Sequence, residues 1–479
     1  MNYRMIGYFL SIVLLIEGAL MAFPMLVALC YRESILPFLY TVLIIAAVGL
    51  PSVIFKPKKT RIYAREGFVC VALSWILLSV FGALPFMFSG AIPNFFDAFF
   101  ESVSGFTTTG SSVVSDVSVL TKSLIFWRCL SNWVGGMGVL MFMLAILPSD
   151  DGRSVYLMRA EVPGPTKGKL VPRMRKTAMI LYGIYFALTV TEIIALLCTG
   201  FSFFDAVINS LATAGTGGFT APANSTAGYE NPAAEWIIAV FMLIFGVNFN
   251  LYYLVLIKDF RSILKNDELK AYLGVVIVAV TAIAVNIWKV FDSGWHAIRA
   301  AFFQVATVIS TTGFVTEDFG LWPTFSKTVL ILLMILGACG GSTAGGIKLS
   351  RVLILLKNGF REIKHTLRPN SVNRIKQDGE ILSEEVVRSA NRYLILYTAV
   401  SLISFLLISI DGMSVETNLT AMLSCFNNIG PALGEITPFG CYVGYSWFST
   451  LVLALDMLLG RLEIMPFLIL CTPATWKKR

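Results

Sequence analysis

The chain has 479 residues, is 56% hydrophobic and only 14% charged, and has a mean hydropathy of +0.76. A soluble protein of this length needs far more charged surface, and runs of about twenty apolar residues have the length of a membrane-crossing helix. The net charge of +8 does not point to nucleic acid, because of where it sits. Thirty of the 37 Lys and Arg lie at Arg4 or in stretches 56–65, 153–176, 258–270, 348–392 and 477–479. Arg32, Lys122, Arg128, Lys289, Arg299 and Lys327 are on the other side, and Arg461 lies inside an apolar run. This asymmetry follows the positive-inside rule, so the termini and basic loops are expected in the cytoplasm. The eight cysteines are scattered and the two histidines, His296 and His365, have no ligand spacing, which argues against metal and His-based chemistry.

In chain order, two helices come first, at 5–30 and 34–55, forming with a basic loop a peripheral unit over 1–65. Four similar units follow, over 66–176, 177–268, 269–388 and 389–479. Each begins with a spanning helix, at 66–88, 177–199, 269–291 or 389–410. A short apolar segment follows, at 94–106, 203–214, 295–309 or 415–426, too short to cross the bilayer and therefore read as re-entrant. A Thr/Gly stretch comes next, then a returning helix at 122–147, 233–263, 322–357 or 445–471. The expected fold is an all-α polytopic membrane protein of ten spanning and four re-entrant helices, with four helix–pore-helix–helix repeats around a central pore plus two N-terminal helices.

The Thr/Gly stretches are Thr108, Thr109, Gly110 and Ser111; Thr216, Gly217, Gly218 and Phe219; Thr311, Thr312, Gly313 and Phe314; and Asn428, Ile429, Gly430 and Pro431. The glycines Gly110, Gly218, Gly313 and Gly430 are spaced by 108, 95 and 117 residues. Helix, half-helix, extended Thr/Gly and helix is the unit of a cation pore. The half-helix aims the negative end of its dipole at the membrane centre, and the strand's carbonyls replace an ion's hydration shell. Glycine lets those carbonyls point inward along the strand. Asp97 and Asp205 stand near the positive starts of two half-helices, where a carboxylate is favourable by about 0.3–1 kcal/mol.

With Thr–Thr–Thr–Gly at 107–110, Thr–Gly–Gly–Phe at 216–219, Thr–Thr–Gly–Phe at 311–314 and Asn–Asn–Ile–Gly–Pro at 427–431, the chain resembles the TrkH/KtrB/HKT superfamily of potassium transporters. The extra N-terminal helices, the glycine-rich stretch 340–348 and Leu–Gly–Arg–Leu–Glu at 459–463 are similar to its TrkH branch in particular. The resemblance implies potassium uptake across a bacterial inner membrane, potassium ions at the filter residues and no covalently bound cofactor. It also implies a homodimer seated on a cytosolic nucleotide-binding ring of the TrkA type. Four filter glycines are what the potassium-selective members have. The basic loops at 153–176 and 348–392 are candidate docking surfaces for such a ring, and they attract anionic lipid equally well.

Gly340, Gly341, Ser342, Thr343, Ala344, Gly345 and Gly346 interrupt the middle of the third returning segment. Five glycines between positions 337 and 346 cost a helix about 1 kcal/mol each, and non-helical backbone at that depth is tolerated only facing water or protein. A loop across the pore below the filter is expected, and the resemblance implies that it is a gate. Lys348 is either part of that gate or an interface charge. Arg461 pairs with Glu463 or Asp456, snorkels from a helix end, or stands near the pore axis as a barrier to cations; the last reading is preferred. Asp116, Glu230, Glu235, Glu317, Asp318 and Glu435 are candidates for an outer vestibule or an ordinary solvated rim.

Two other function classes remain in view. Buried acids at Glu17, Glu192 and Asp456 would suit an H+- or Na+-coupled potassium symporter on the same scaffold. A membrane enzyme is disfavoured, since no nucleophile elbow, zinc motif or cluster of catalytic carboxylates occurs.

Overall fold

The computed structural model describes residues 1–54, 57, 64–138, 174–370 and 373–477. The basic stretches read from the sequence at 56–65 and 153–176 lie largely or wholly outside these residues. So does the lower part of the first returning helix. The regular secondary structure of the described residues is helical except for one antiparallel hairpin, Lys376–Gln377 with Glu380–Ile381.

Helices Tyr3–Leu20 and Ala22–Cys30 form one span with a break at Met21, where Pro24 cannot donate to the preceding turn. They pack with Leu36–Ile54 against Ala64–Phe88, which leaves the N-terminal pair beside the first repeat. The first helices of the four repeats are Ala64–Phe88, Met174–Cys198, Asp267–Ile287 and Glu384–Ile408.

The four re-entrant helices are Phe95–Phe106, Phe203–Gly215, Gly294–Ile309 and Val415–Phe426. Three start on a side-chain cap, with Asn94 accepting from Phe96 N–H, Ser202 from Asp205 N–H and Ser414 from Thr417 N–H. Asp97, Asp205 and Glu416 occupy first turns, where the orphan N–H groups favour negative charge. All four helices run inward and end fully buried.

The returning segments differ from expectation. Only the third was expected to be interrupted, yet the others stop short too. Lys122–Gly136 ends at Met137, Pro232–Phe245 bends by 90° into Phe249–Leu256, and Trp447–Arg461 breaks at Leu462 before Met465–Cys471. Thr324–Leu336 ends at Gly337 as expected. At 13–15 residues each piece is about 20 Å long, too short for a bilayer core. Thus six helices are long and apolar enough to span unbroken, or seven with the bent pair, among the described residues. The third segment's lower helix, Leu349–Leu367, also runs ten residues beyond its expected end.

Candidate functional site

Each re-entrant helix ends at a residue in the left-handed region: Thr108 (φ 58°), Thr216 (56°), Thr311 (56°) and Asn428 (56°). Two residues later comes a glycine with positive φ: Gly110 (81°), Gly218 (70°), Gly313 (86°) and Gly430 (106°). The divergent fourth copy therefore has the same backbone as the other three. A Cβ on Gly110 would meet the Gly217 carbonyl oxygen, one on Gly218 that of Thr312, one on Gly313 that of Ile429, and one on Gly430 that of Thr109. Every such approach is under 3.0 Å, closer than real Cβ atoms come. The partners run from repeat one to two, three, four and back to one. Four backbone strands thus close a ring in which each carbonyl preceding a filter glycine abuts the glycine of a neighbouring repeat.

The side chains brace this ring. Thr109 Oγ1 lies 2.8 Å from Thr107 Oγ1, and Thr312 Oγ1 lies 2.7 Å from Ser310 Oγ, an equivalent pair in the third repeat. Asn428 Nδ2 donates to Thr109 Oγ1 and to the Met457 carbonyl, both at 3.0 Å. Thr216 donates to Gly215 O at 2.6 Å, while Thr108 Oγ1 is buried with no hydrogen-bond partner among the described residues. Ser111 Oγ and the Tyr442 hydroxyl both donate to the Gly430 carbonyl, at 3.2 and 2.8 Å. Phe219 and Phe314 point into the apolar core, and Phe219 stacks under the Arg128 guanidinium 4.0 Å away.

Arg128 was not among the expected site residues. It is buried and ion-paired with buried Glu101 at 2.7 Å, joining the first re-entrant helix to its returning helix. Glu101 also accepts from Ser112 Oγ at 3.0 Å and from Val113 N–H at 3.1 Å, which fixes the strand just above Gly110. A lone Glu and a lone Arg 27 positions apart carry no pattern that would have linked them.

Above the ring is a cavity lined by Gly110, Gly218, Gly313 and Pro431, with Arg128 and Ser112 at its wall. The six expected vestibule acids are absent from that lining. Glu235 pairs with Arg299 at 3.0 Å and Glu317 with His296 at 2.7 Å. Asp116 and Asp318 cap short turns, and Glu435 accepts from Ser414 N–H at 2.9 Å. These five acids are engaged in the outer loops, and none of them lines that cavity.

Below the ring, Gly337 to Lys348 forms the expected non-helical loop. It is bonded to the second, third and fourth repeats. Gly345 N–H donates to Thr311 Oγ1 at 2.7 Å, directly under the third strand. Cys339 N–H donates to Gly246 O, Phe249 N–H to Gly341 O, both at 3.1 Å, and Thr343 Oγ1 to Phe245 O at 3.3 Å, all at the 90° bend of the second repeat. Arg461, at the end of its helix and not in mid-span, donates to Thr343 O at 2.7 Å, to Gly136 O at 2.8 Å and to Gly135 O. Of the local carboxylates considered for it, Glu463 binds Arg351 and Asp456 accepts from Ser404. Lys348 is buried and reaches back to the Ala344 carbonyl, which removes the reading of it as an interface charge.

Glu17 is buried with neither carboxyl oxygen hydrogen-bonded among the described residues, and Glu192 is buried beside Thr213 of the second re-entrant helix. With Asp456, these acids lie behind the re-entrant helices and do not contribute to the ring. All eight cysteines are free.

The chain matches the family model TrkH, described as a cation transport protein, over residues 37–478. It is 35% identical over 488 residues to the Trk system potassium uptake protein TrkH of Escherichia coli (strain K12), with 100% of both chains covered. It is 32% identical to TrkG of the same organism, covering 95% of this chain and 94% of that one. The crystal structure of the potassium transporter TrkH from Vibrio parahaemolyticus matches with a TM-score of 0.89 at 32% identity, covering 100% of each chain.

Proposed function

Since the chain belongs to the TrkH family of cation transport proteins, we propose that it carries potassium into a bacterial cell through a pore on the axis of its four repeats. The ion sheds water at the ring formed by 108–111, 216–219, 311–314 and 428–431, where backbone carbonyls and the negative ends of four helices take over from the hydration shell. The loop 340–346, Lys348 and Arg461 form the gate beneath it. A guanidinium below the ring raises the electrostatic barrier to a cation, and its bonds to loop and first repeat tie that charge to the loop's position.

The observation that carries this reading is the closed order of glycine-to-carbonyl contacts, which four unrelated helix-ending glycines would not produce. The relatives' names support potassium as the cargo. The asymmetry of basic residues supports cytoplasmic termini in a multi-pass protein of the cytoplasmic membrane. Family membership supports a homodimer on a nucleotide-binding ring, repeat limits near 66–176, 177–268, 269–388 and 389–479, and a transporter with neither an enzyme's chemistry nor a covalent cofactor.

Restored growth and potassium uptake in a bacterium lacking its own uptake systems test the reading, with Gly313→Ser alongside. No uptake, or full potassium preference in Gly313→Ser, overturns it. A second reading, coupling to a proton or sodium gradient, is favoured by the buried Glu17 carboxyl, which has no hydrogen-bond partner among the described residues. Uptake that stops when both gradients are collapsed supports it, and single-channel currents support the uncoupled pore.

A further inference from the structure

Both ends of the loop below the ring hang on a single oxygen atom. Glu268 stands in the first turn of helix Asp267–Ile287 and is 4% exposed. Its Oε1 accepts the Gly340 N–H at 2.6 Å and the Ser350 N–H at 2.9 Å. Gly340 lies near the start of the loop, and Ser350 lies in the first turn of Leu349–Leu367, the helix that leaves it. The carboxylate thus satisfies one donor of irregular backbone and one orphan N–H of a helix start.

The anchor itself is held firmly from the other side. Asn266 caps the helix by accepting from Leu269 N–H at 2.7 Å. Asp267 accepts from Lys357 Nζ at 2.9 Å, and its own N–H donates to the Asp378 carboxylate at 2.7 Å, in the turn of the hairpin. Between the two grips of Glu268, the loop touches Thr311 of the ring and meets Arg461 at Thr343.

We infer that Glu268 is a positioning residue that latches the loop closed by pinning its two ends together through one shared acceptor. The inference rests on the gating reading above. The loop cannot spread unless at least one of these two hydrogen bonds breaks, which leaves a buried backbone donor without its acceptor. Geometry and charge make opposite demands on substitutions here. Glu268→Gln keeps an oxygen at the same reach and loses the charge. Glu268→Asp keeps the charge and is one methylene too short to reach both N–H groups.

The test is potassium flux into liposomes containing the full-length protein, for wild type, Glu268→Gln, Glu268→Asp and a variant lacking residues 340–346. A latch predicts near-wild-type flux in Glu268→Gln and a rise of about tenfold in Glu268→Asp, the equivalent of one lost bond to a charged group. Potassium-over-sodium preference stays unchanged in both, and Glu268→Asp adds nothing once the loop is deleted. The reverse pattern, with Glu268→Gln raised and Glu268→Asp normal, shows that the carboxylate acts by charge and overturns the latch. Normal flux in both, with raised flux in the loop deletion, overturns the latch alone. Unchanged flux in the loop deletion overturns the gating reading itself.

Discussion

The side-chain amide of Asn428 donates to the hydroxyl of Thr109 across 3.0 Å, so the most divergent filter copy is tied directly to the first one. The same nitrogen also holds the Met457 carbonyl of the last returning helix. Replacing Asn428 with Ala removes both bonds from a buried site, a loss of about 1–3 kcal/mol of local stability. The expected outcome is weaker discrimination of potassium from sodium with uptake retained, read from paired uptake of the two ions. Unaltered preference would show that this cross-tie is packing alone.

The four ring glycines are not equally exacting. A Cβ on Gly313 would come nearest its neighbouring carbonyl, that of Ile429, whereas one on Gly430 would stop 2.7 Å from Thr109 O. Both positions also demand positive φ, which costs a residue bearing a Cβ about 1–2 kcal/mol. Gly313→Ala is therefore expected to reduce uptake more deeply than Gly430→Ala does. Equal losses, measured at equal amounts of protein in the membrane, would contradict a ring of unequal clearances.

Arg461→Ala removes a positive charge and frees the Thr343 and Gly136 carbonyls together. Flux should rise by roughly tenfold or more with ion preference unchanged, given the strength of a unit charge near a poorly screened path. Arg461→Lys should also raise it, because one ammonium cannot hold the same fork of carbonyls. Unchanged flux in Arg461→Ala would remove the barrier role.

The Glu101–Arg128 pair offers a stability test. Breaking a buried ion pair from one side leaves an uncompensated charge and costs about 3–5 kcal/mol. Glu101→Gln and Arg128→Met should each lower the thermal midpoint of the purified protein markedly. The double variant should lose less than the two losses summed. Strict additivity would mean that the 2.7 Å contact contributes little.

Much of the architecture was legible because it repeats. Short apolar segments followed by Thr/Gly mark four re-entrant helices, and aligning their glycines found Gly430 although Pro431 stands where two other copies have Phe. The third loop was legible because five glycines between 337 and 346 are incompatible with a stable helix. The first break carries a visible signal, three glycines among residues 135–138, whereas the second and fourth were hidden. Gly246 and Gly460 are single glycines in otherwise strong apolar runs, and what stops those helices is tertiary: Gly246 O is taken by Cys339 N–H, and Arg461 turns to three carbonyls. The reach of Leu349–Leu367 was obscured by its charges. Leu356, Phe360, Ile363 and Leu367 recur at helical spacing within it and are the signal that would have extended it. No local rule pairs Glu268 with Gly340 and Ser350, since 72 and 82 residues separate them.

Because the second, third and fourth returning segments each break after 13–15 helical residues, the molecule has two storeys with different mechanical character. The upper one is a keystone arch, in which no strand shifts unless its neighbours yield. The lower one is a set of short rods on elbows, joined by hydrogen bonds that exchange one at a time. On the proposed pore reading, an ion path assembled this way widens at its inner end while the ring's spacing stays fixed, which makes choosing an ion and admitting it separable tasks.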